Sequence, residues 1–391
     1  MTLRDKIVQE IREHGPIAFS RYMEMCLYDP ELGFYSQTAE RFGKAGDFYT
    51  SSDVHAVFGR LLARQFEEMW RVLGSPPQIE ILELGPGRGL FARDVLDWSE
   101  KKFPEFFRAV RYTLVERSPT LQQRLGITLD RHFTVGKVSM ACIGEGKGTT
   151  AVMPAEPALA RELSPEVPVI IFANEFFDAL PVEILTVRGE LRITETGGRF
   201  TESWVPPSSD TLDFLDRFGV RPESGERIEV PLLAQQHMSA IANTVGLGFV
   251  VAIDYGYTRA EQLAGRHRGT LMTYRQHSAG ANPYEAPGEQ DITAHVNFTA
   301  LEVAARQHGM RVEPLLTQSQ FLMGIGERNQ FADAFVDCRL PQEHAKVALQ
   351  LKHLVTPAGM GETFHVLLAS KSVPVELVAR LSGLSFGSRR T

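Results

Sequence analysis

The segment Ile79-Glu-Ile-Leu-Glu-Leu-Gly-Pro-Gly-Arg-Gly-Leu-Phe-Ala-Arg-Asp94 runs from an apolar stretch into Gly85, Pro86, Gly87 and Gly89, then into a helical pattern. Glycines at such a junction let the backbone approach a ligand closely, and the helix that follows offers unpaired N–H groups. Position 90 is leucine, so the spacing is Gly-x-Gly-x-Gly and the Gly-x-Gly-x-x-Gly dinucleotide fingerprint is not met. Glu83 stands two residues before the glycines. A carboxylate there receives the ammonium of an amino-acid-like ligand and repels a pyrophosphate. The next apolar run, Tyr112–Val115, ends at Glu116, where a doubly wound fold places the acid that holds ribose hydroxyls. Acid, glycine turn, helix, strand and second acid together describe S-adenosylmethionine better than NAD. Read blandly, Glu116 is an exposed loop acid facing Arg117.

A further apolar run, Val167–Ala173, leads into Asn174-Glu-Phe-Phe-Asp-Ala-Leu-Pro181. Ligands of open α/β sheets bind at the carboxyl ends of strands, so Asn174 is expected beside the methyl donor and Glu175 and Asp178 beside the acceptor. Methyl transfer needs a nucleophile held in line with the sulfonium while water is kept out. A guanidinium acceptor stays charged in water and needs carboxylates that orient it and accept its proton as the new bond forms. The bland alternative has Asp178 capping the following turn and the two phenylalanines in the core. Gly248–Ile253 ends in Asp254-Tyr255-Gly-Tyr257, which fits an acceptor pocket or plain turn chemistry equally well. Between residues 266 and 298 the chain is polar and too long for a plain connector, with Glu289, Asp291 and His295 as candidate acceptor contacts. Asp47 and Thr50 precede a helix start whose N-cap is Ser52, which leaves them for the cofactor.

Amphipathic spacing predicts helices over 3–14, 17–28 and 53–73. After Gly74-Ser-Pro-Pro77 short apolar runs alternate with helical stretches, the pattern of βαβ units and a mainly parallel sheet. Expected strands are 79–84, 112–115, 133–135, 167–173, 248–253, 311–316 and 363–369. Residues 183–205 read as a β-ribbon inserted at about 182–232, expected to cover the catalytic face. The α/β chain thus divides into an N-terminal helical extension over 1–75 and a catalytic domain over 76–391, carrying that insert and a substrate loop at about 266–298.

With 391 residues, 43% hydrophobic and 23% charged, the composition is that of a globular protein and excludes disordered, collagen-like and membrane-inserted classes. A net charge of −7 argues against general nucleic-acid binding. The three cysteines, Cys26, Cys142 and Cys338, are far apart and have no metal-ligand spacing, so no metal is expected. Free thiols and an N-terminus without an apolar signal core lead to the expectation of a cytosolic protein.

Taken in order, Phe19-Ser-x-Tyr-Met, Tyr28-Asp-Pro-x-Leu-Gly-Phe-Tyr35, Gly46-Asp-Phe-x-Thr50-Ser, Glu83-Leu-Gly-Pro-Gly-Arg-Gly89, Asn174-Glu-Phe-Phe-Asp-Ala-Leu-Pro181, Asp254-Tyr-Gly-Tyr257, Pro287-Gly-Glu-Gln-Asp-Ile-Thr-Ala-His-Val296 and Met360-Gly-x-x-Phe364 resemble the MidA-like family of S-adenosylmethionine-dependent methyltransferases. The resemblance spans nearly the whole chain. It implies a Rossmann-like class I methyltransferase fold, a cofactor site on Gly85, Pro86, Gly87, Gly89 and Glu116, and, from the family's mitochondrial member, a protein arginine as acceptor. Competing expectations are a cofactor-binding assembly factor with little turnover and a small-molecule methyltransferase, with an NAD-linked oxidoreductase last.

Overall fold

Leu3, Ile7 and Ile11 recur four apart and bury one face of α1 (Leu3–His14). Thr2 and Asp5 close a capping box at its start, with the Asp5 N–H donating to Thr2 Oγ1 at 3.2 Å and the Thr2 N–H to Asp5 Oδ2 at 2.8 Å. The computed structural model describes residues 1–37, 56–141, 166–275, 278–280 and 282–386. The helix expected from residue 17 starts two residues later. Ile17–Ala18 is a short strand, β1, pairing antiparallel across Ile17↔Ile193, and α2 (Phe19–Tyr28) follows it. A β-branched isoleucine directly after Pro16 favours that extended start. The single turn α3 (Phe34–Gln37) comes next.

The central sheet is built from β2 (Ile79–Leu84), β3 (Val110–Val115), β4 (Val138–Met140), β5 (Val169–Asn174), β10 (Gly248–Tyr257), β15 (Arg311–Val312), β16 (Leu316–Thr317) and β17 (Phe364–Lys371). Its order is β15-β17-β10-β5-β2-β3-β4, with β16 also on β17 and β14 (Val296–Asn297) on β10. Strands β4, β3, β2, β5 and β10 are parallel, and β17 runs antiparallel to β10. The α/β, mainly parallel expectation is met. Such strands are buried on both faces, which is why they read as nearly unbroken apolar runs. On one face Ile81, Tyr112, Phe172 and Val251 pack with the helices Val57–Val72 and Leu90–Lys102. On the other, Leu82, Ile171 and Val250 pack with the helices Leu232–Thr244 and Phe298–Gln307.

Two strand expectations need correction. Residues 133–135 are not a strand: Asp130–Thr134 is helical, and the edge strand is β4, entered through Gly136 at φ 69°. The run 311–316 is split in two, because Pro314 has no N–H to give the ladder.

The inserted segment forms β6 (Glu183–Thr186), β7 (Gly189–Thr196), β8 (Arg199–Val205) and β9 (Ile228–Val230), joined by β1 into a second sheet. Its Ile184, Leu191, Ile193 and Phe200 share one core with Ile7, Ile11, Phe19 and Met23 and with Ile292 from the long loop. N-terminal segment and insert therefore make one lobe, while the helix Val57–Val72 packs in the central core. A partition at residue 75 does not coincide with either core. Ile7 is 0% exposed in this lobe. Ile7→Ala is expected to cost about 2–4 kcal/mol of stability, read as a lower midpoint in urea unfolding.

Candidate active site

Beyond β2 the chain turns through Gly85, Gly87 and Gly89 at φ 63°, 53° and 74°, the left-handed region that glycine enters without steric cost. Gly89 caps the helix Leu90–Lys102, and a Cβ there would stand 2.7 Å from Leu125 Cδ2. Among the described residues a Cβ at Gly87 would meet nothing within 4 Å, so the loop is open toward them on that side. Glu83 is 4% exposed and accepts a 2.8 Å hydrogen bond from the Tyr112 hydroxyl. Burial pushes its carboxyl up to about 8 against that bond. Glu116, directly after β3, is buried rather than exposed, so the reading of it as a solvated loop acid fails. Its Oε1 accepts from the Ser118 N–H at 2.8 Å, and burial pushes the carboxyl up to about 7.

β5 ends at Asn174, and Glu175 follows at φ 50°, an uncommon conformation for a side chain with a Cβ. The Glu175 N–H donates to Ile253 O at 2.9 Å, and Asn174 Nδ2 donates to Glu175 Oε1 at 3.1 Å. Among the described residues Asn174 Oδ1 is buried with no partner, an acceptor suited to a donor from a ligand. Asp254 Oδ2 collects the N–H groups of Phe176, Phe177 and Asp178 at 3.2, 3.0 and 3.3 Å, and Oδ1 takes the Tyr255 N–H at 2.9 Å. Asp254 was expected at the acceptor; fully buried and committed to four backbone donors, it builds the turn instead.

Asp178 is 1% exposed, and its Oδ2 accepts from the Tyr255 hydroxyl while Oδ1 is buried without a partner among the described residues. Burial pushes its carboxyl up to about 6. The expected Glu175–Asp178 pair is thus uneven: Glu175 is partly exposed, and Asp178 sits behind Tyr255. The polar loop contributes β11 (Met272–Arg275), β12 (Ser278–Gly280) and β13 (Asp291–Thr293), with Asp291 fully buried and accepting from the Tyr35 hydroxyl at 3.0 Å. His295 is partly exposed, with its Nδ1 at 3.2 Å from that of His267, and burial lowers its pKa to about 4. Glu289 does not join the cluster. It is exposed and paired with Arg275 at 2.5 Å, because solvent leaves an ion pair there little reason to bury. Asp47 and Thr50 lie outside the described residues.

Sequence reading missed Tyr28 and Tyr35, which bring the N-terminal lobe to this edge. Tyr28 donates to Ala179 O at 2.9 Å, and burial, with the acids Asp178, Asp291 and Glu116 adding to it, holds its phenol well above the ordinary tyrosine pKa. The signal was present in tyrosines at both ends of Tyr28-Asp-Pro-Glu-Leu-Gly-Phe-Tyr35, where a turn interrupts the helical pattern. Among the described residues no helix is long and apolar enough to cross a membrane, and no group of histidine, cysteine and acidic side chains is placed to hold a metal ion.

The profile of a family described as S-adenosyl-L-methionine-dependent methyltransferase matches residues 61–315. Among curated proteins, the mitochondrial protein arginine methyltransferase NDUFAF7 of Danio rerio is 29% identical, the match covering 92% of this chain and 84% of that protein. Its Homo sapiens counterpart is 26% identical, with 92% and 81% covered. A Burkholderia thailandensis crystal structure with bound S-adenosyl-homocysteine superposes with a TM-score of 0.78 at 25% identity, over 98% of this chain and 94% of that one. The cytosolic expectation is overturned by these relatives, which are named as mitochondrial proteins.

Two outcomes follow from the loop and its acids. Gly87→Val puts a branched side chain into a left-handed position on the open side of the loop, so calorimetric binding of S-adenosylhomocysteine is expected to be lost. Glu83 and Glu116 hold protons in the folded chain that the unfolded chain has released above its ordinary glutamate pKa of 4.5. Their stabilising contribution is complete below that value and is lost as pH rises through about 7 and 8. The lowered His295 has the opposite effect, confined to pH below its ordinary 6.5. Ligand-free protein should therefore melt at a lower temperature at pH 8 than at pH 6.5 in scanning calorimetry.

Proposed function

This chain belongs to the family of S-adenosyl-L-methionine-dependent methyltransferases, and from that premise we propose that it methylates the guanidinium of a protein arginine. The observation that carries the reading is the convergence of acids on one aromatic edge, where the Tyr255 hydroxyl donates to Asp178, the Tyr35 hydroxyl to Asp291, and Ser118 bridges Glu116 to the Tyr35 carbonyl. An edge of that sign favours a cationic acceptor. The relatives' description as arginine methyltransferases supports the same choice.

The residues at the carboxyl ends of β2, β3 and β5 fit the cofactor. Gly87 leaves open space at the loop, Glu83 suits the ammonium of the amino-acid end, Glu116 suits the ribose hydroxyls, and the orphaned Asn174 Oδ1 suits a donor from either the cofactor or the acceptor. When bound, S-adenosylmethionine supplies a methyl group on a positively charged sulfur. The arginine nitrogen that takes it forms an N–C bond as the S–C bond breaks, and it gives up one N–H proton, so the acceptor keeps its single positive charge. Glu175, partly exposed and aimed by a left-handed backbone, orients the guanidinium and receives that proton. Asp178 acts through Tyr255, whose hydroxyl it holds.

Glu175→Gln keeps the size of the side chain and removes the proton acceptor. It is expected to leave S-adenosylhomocysteine affinity within twofold of the wild type and to cut methyl transfer by about 10²–10⁴. The assay is transfer of label from methyl-tritiated S-adenosylmethionine into a lysate of the source organism lacking this gene, with methylarginine recovered on hydrolysis. Cofactor binding without any protein label would favour an assembly factor or a small-molecule acceptor instead.

A further inference from the structure

Three tyrosines meet the two segments that carry the buried aspartates Asp178 and Asp291. Tyr28 ends α2, Tyr35 lies in α3 and Tyr255 in β10, and each is partly exposed. Each hydroxyl is nonetheless tied down: Tyr28 donates to Ala179 O, Tyr35 to Asp291 Oδ1 and Tyr255 to Asp178 Oδ2. The Tyr28 and Tyr35 rings are in contact, with centroids 5.5 Å apart and planes at 39°. Tyr255 meets the His295 ring edge-on at 5.2 Å.

Asp178 and Asp291 are 1% and 0% exposed, so a protein side chain does not touch them unless the rings move aside. They nevertheless reach the accessible edge through the partly exposed phenols that donate to them, Tyr35 to Asp291 and Tyr255 to Asp178. A phenol that donates its proton toward a carboxylate carries more electron density on its ring, and aromatic faces attract cations, guanidinium most readily because it is planar and weakly hydrated.

Resting on the arginine reading, we propose that Tyr28, Tyr35 and Tyr255 form an aromatic cage that holds the side-chain cation of the acceptor beside the cofactor. Asp178 and Asp291 are positioning residues in it: they fix the hydroxyls of Tyr255 and Tyr35 and lend those two rings negative potential without contacting the acceptor. Ser118 donates its N–H to Glu116 at 2.8 Å and its hydroxyl to Tyr35 O at 3.0 Å, which sets the cage next to the acid assigned to the ribose. The N-terminal lobe is then part of the acceptor site, since it supplies two of the three rings.

The test uses whole protein saturated with S-adenosylhomocysteine and titrated, under NMR observation, with the amides of N-acetyl-arginine, N-acetyl-citrulline and N-acetyl-lysine. Citrulline has the shape of arginine without its charge. The arginine probe is expected to bind at least about tenfold more tightly than the citrulline probe. Tyr35→Leu should weaken the arginine probe about tenfold and Tyr35→Phe about threefold, since phenylalanine keeps the ring and loses the anchor. Asp291→Asn should weaken it about fivefold while leaving citrulline unmoved, a split that loosened packing does not produce. Equal binding of arginine and citrulline, no binding of either cation, or full arginine binding in both Tyr28→Leu and Tyr35→Leu would overturn the cage. Binding of the lysine probe with rejection of the arginine probe would leave the cage standing and overturn the arginine reading.

Discussion

The carboxylate of Asp254 gathers three consecutive N–H groups from the turn after β5, and the rest of the site depends on that contact. Those donors sit at the end of a strand, where the sheet offers them no partner, and leaving even one buried and unpaired costs about 1–3 kcal/mol. Burial pushes the Asp254 carboxyl upward, the charges of Asp178 and Glu175 add to this, and the N–H groups oppose it. The turn so held fixes Glu175 in a left-handed conformation, turns the Asp178 side chain inward to Tyr255 and lays Phe176 against Gly85, whose Cβ would stand 3.1 Å from that ring. One buried aspartate on β10 thereby couples the tip of β5 to the cofactor loop after β2.

A second dependency runs between the lobes. The insert and the first helices share a core that closes on Ile292 and Ala294 of the long polar loop. The same loop meets the catalytic edge, where the Ala294 N–H donates to Asp178 O at 3.0 Å. Apolar packing on one side of β13 and polar contacts on the other clamp the loop between the lobe and the central sheet. The inserted ribbon therefore serves as backing for α1 and α2, and Tyr28 at the end of α2 and Tyr35 in α3 reach the site.

Much of this was legible in the residues. Strands buried on both faces announce themselves as apolar runs, so β2, β3, β5, β10 and β17 were all found, and the glycine turn lay where the run of β2 stops. Chemistry at strand ends follows from the fold, which is why Glu83, Glu116, Asn174 and Glu175 fell at one edge. What escaped was set by distant parts of the chain. β4 is three residues long, too short for any period to show. Asp178 and Asp254 look alike in sequence, and only the tertiary arrangement decides that one holds a phenol and the other a turn. Tyr28 and Tyr35 flank a turn after a helical stretch, and nothing in their spacing tells which sheet edge is set against them.

The most direct measurement of the central claim is a crystal structure of the protein with S-adenosylhomocysteine and an arginine-containing peptide. The account predicts the amino-acid end of the ligand on Glu83 and Gly87, the ribose on Glu116, and the guanidinium between Glu175 and the rings of Tyr28, Tyr35 and Tyr255. A ligand sulfur facing away from Glu175, or a guanidinium bound elsewhere on the surface, would contradict it.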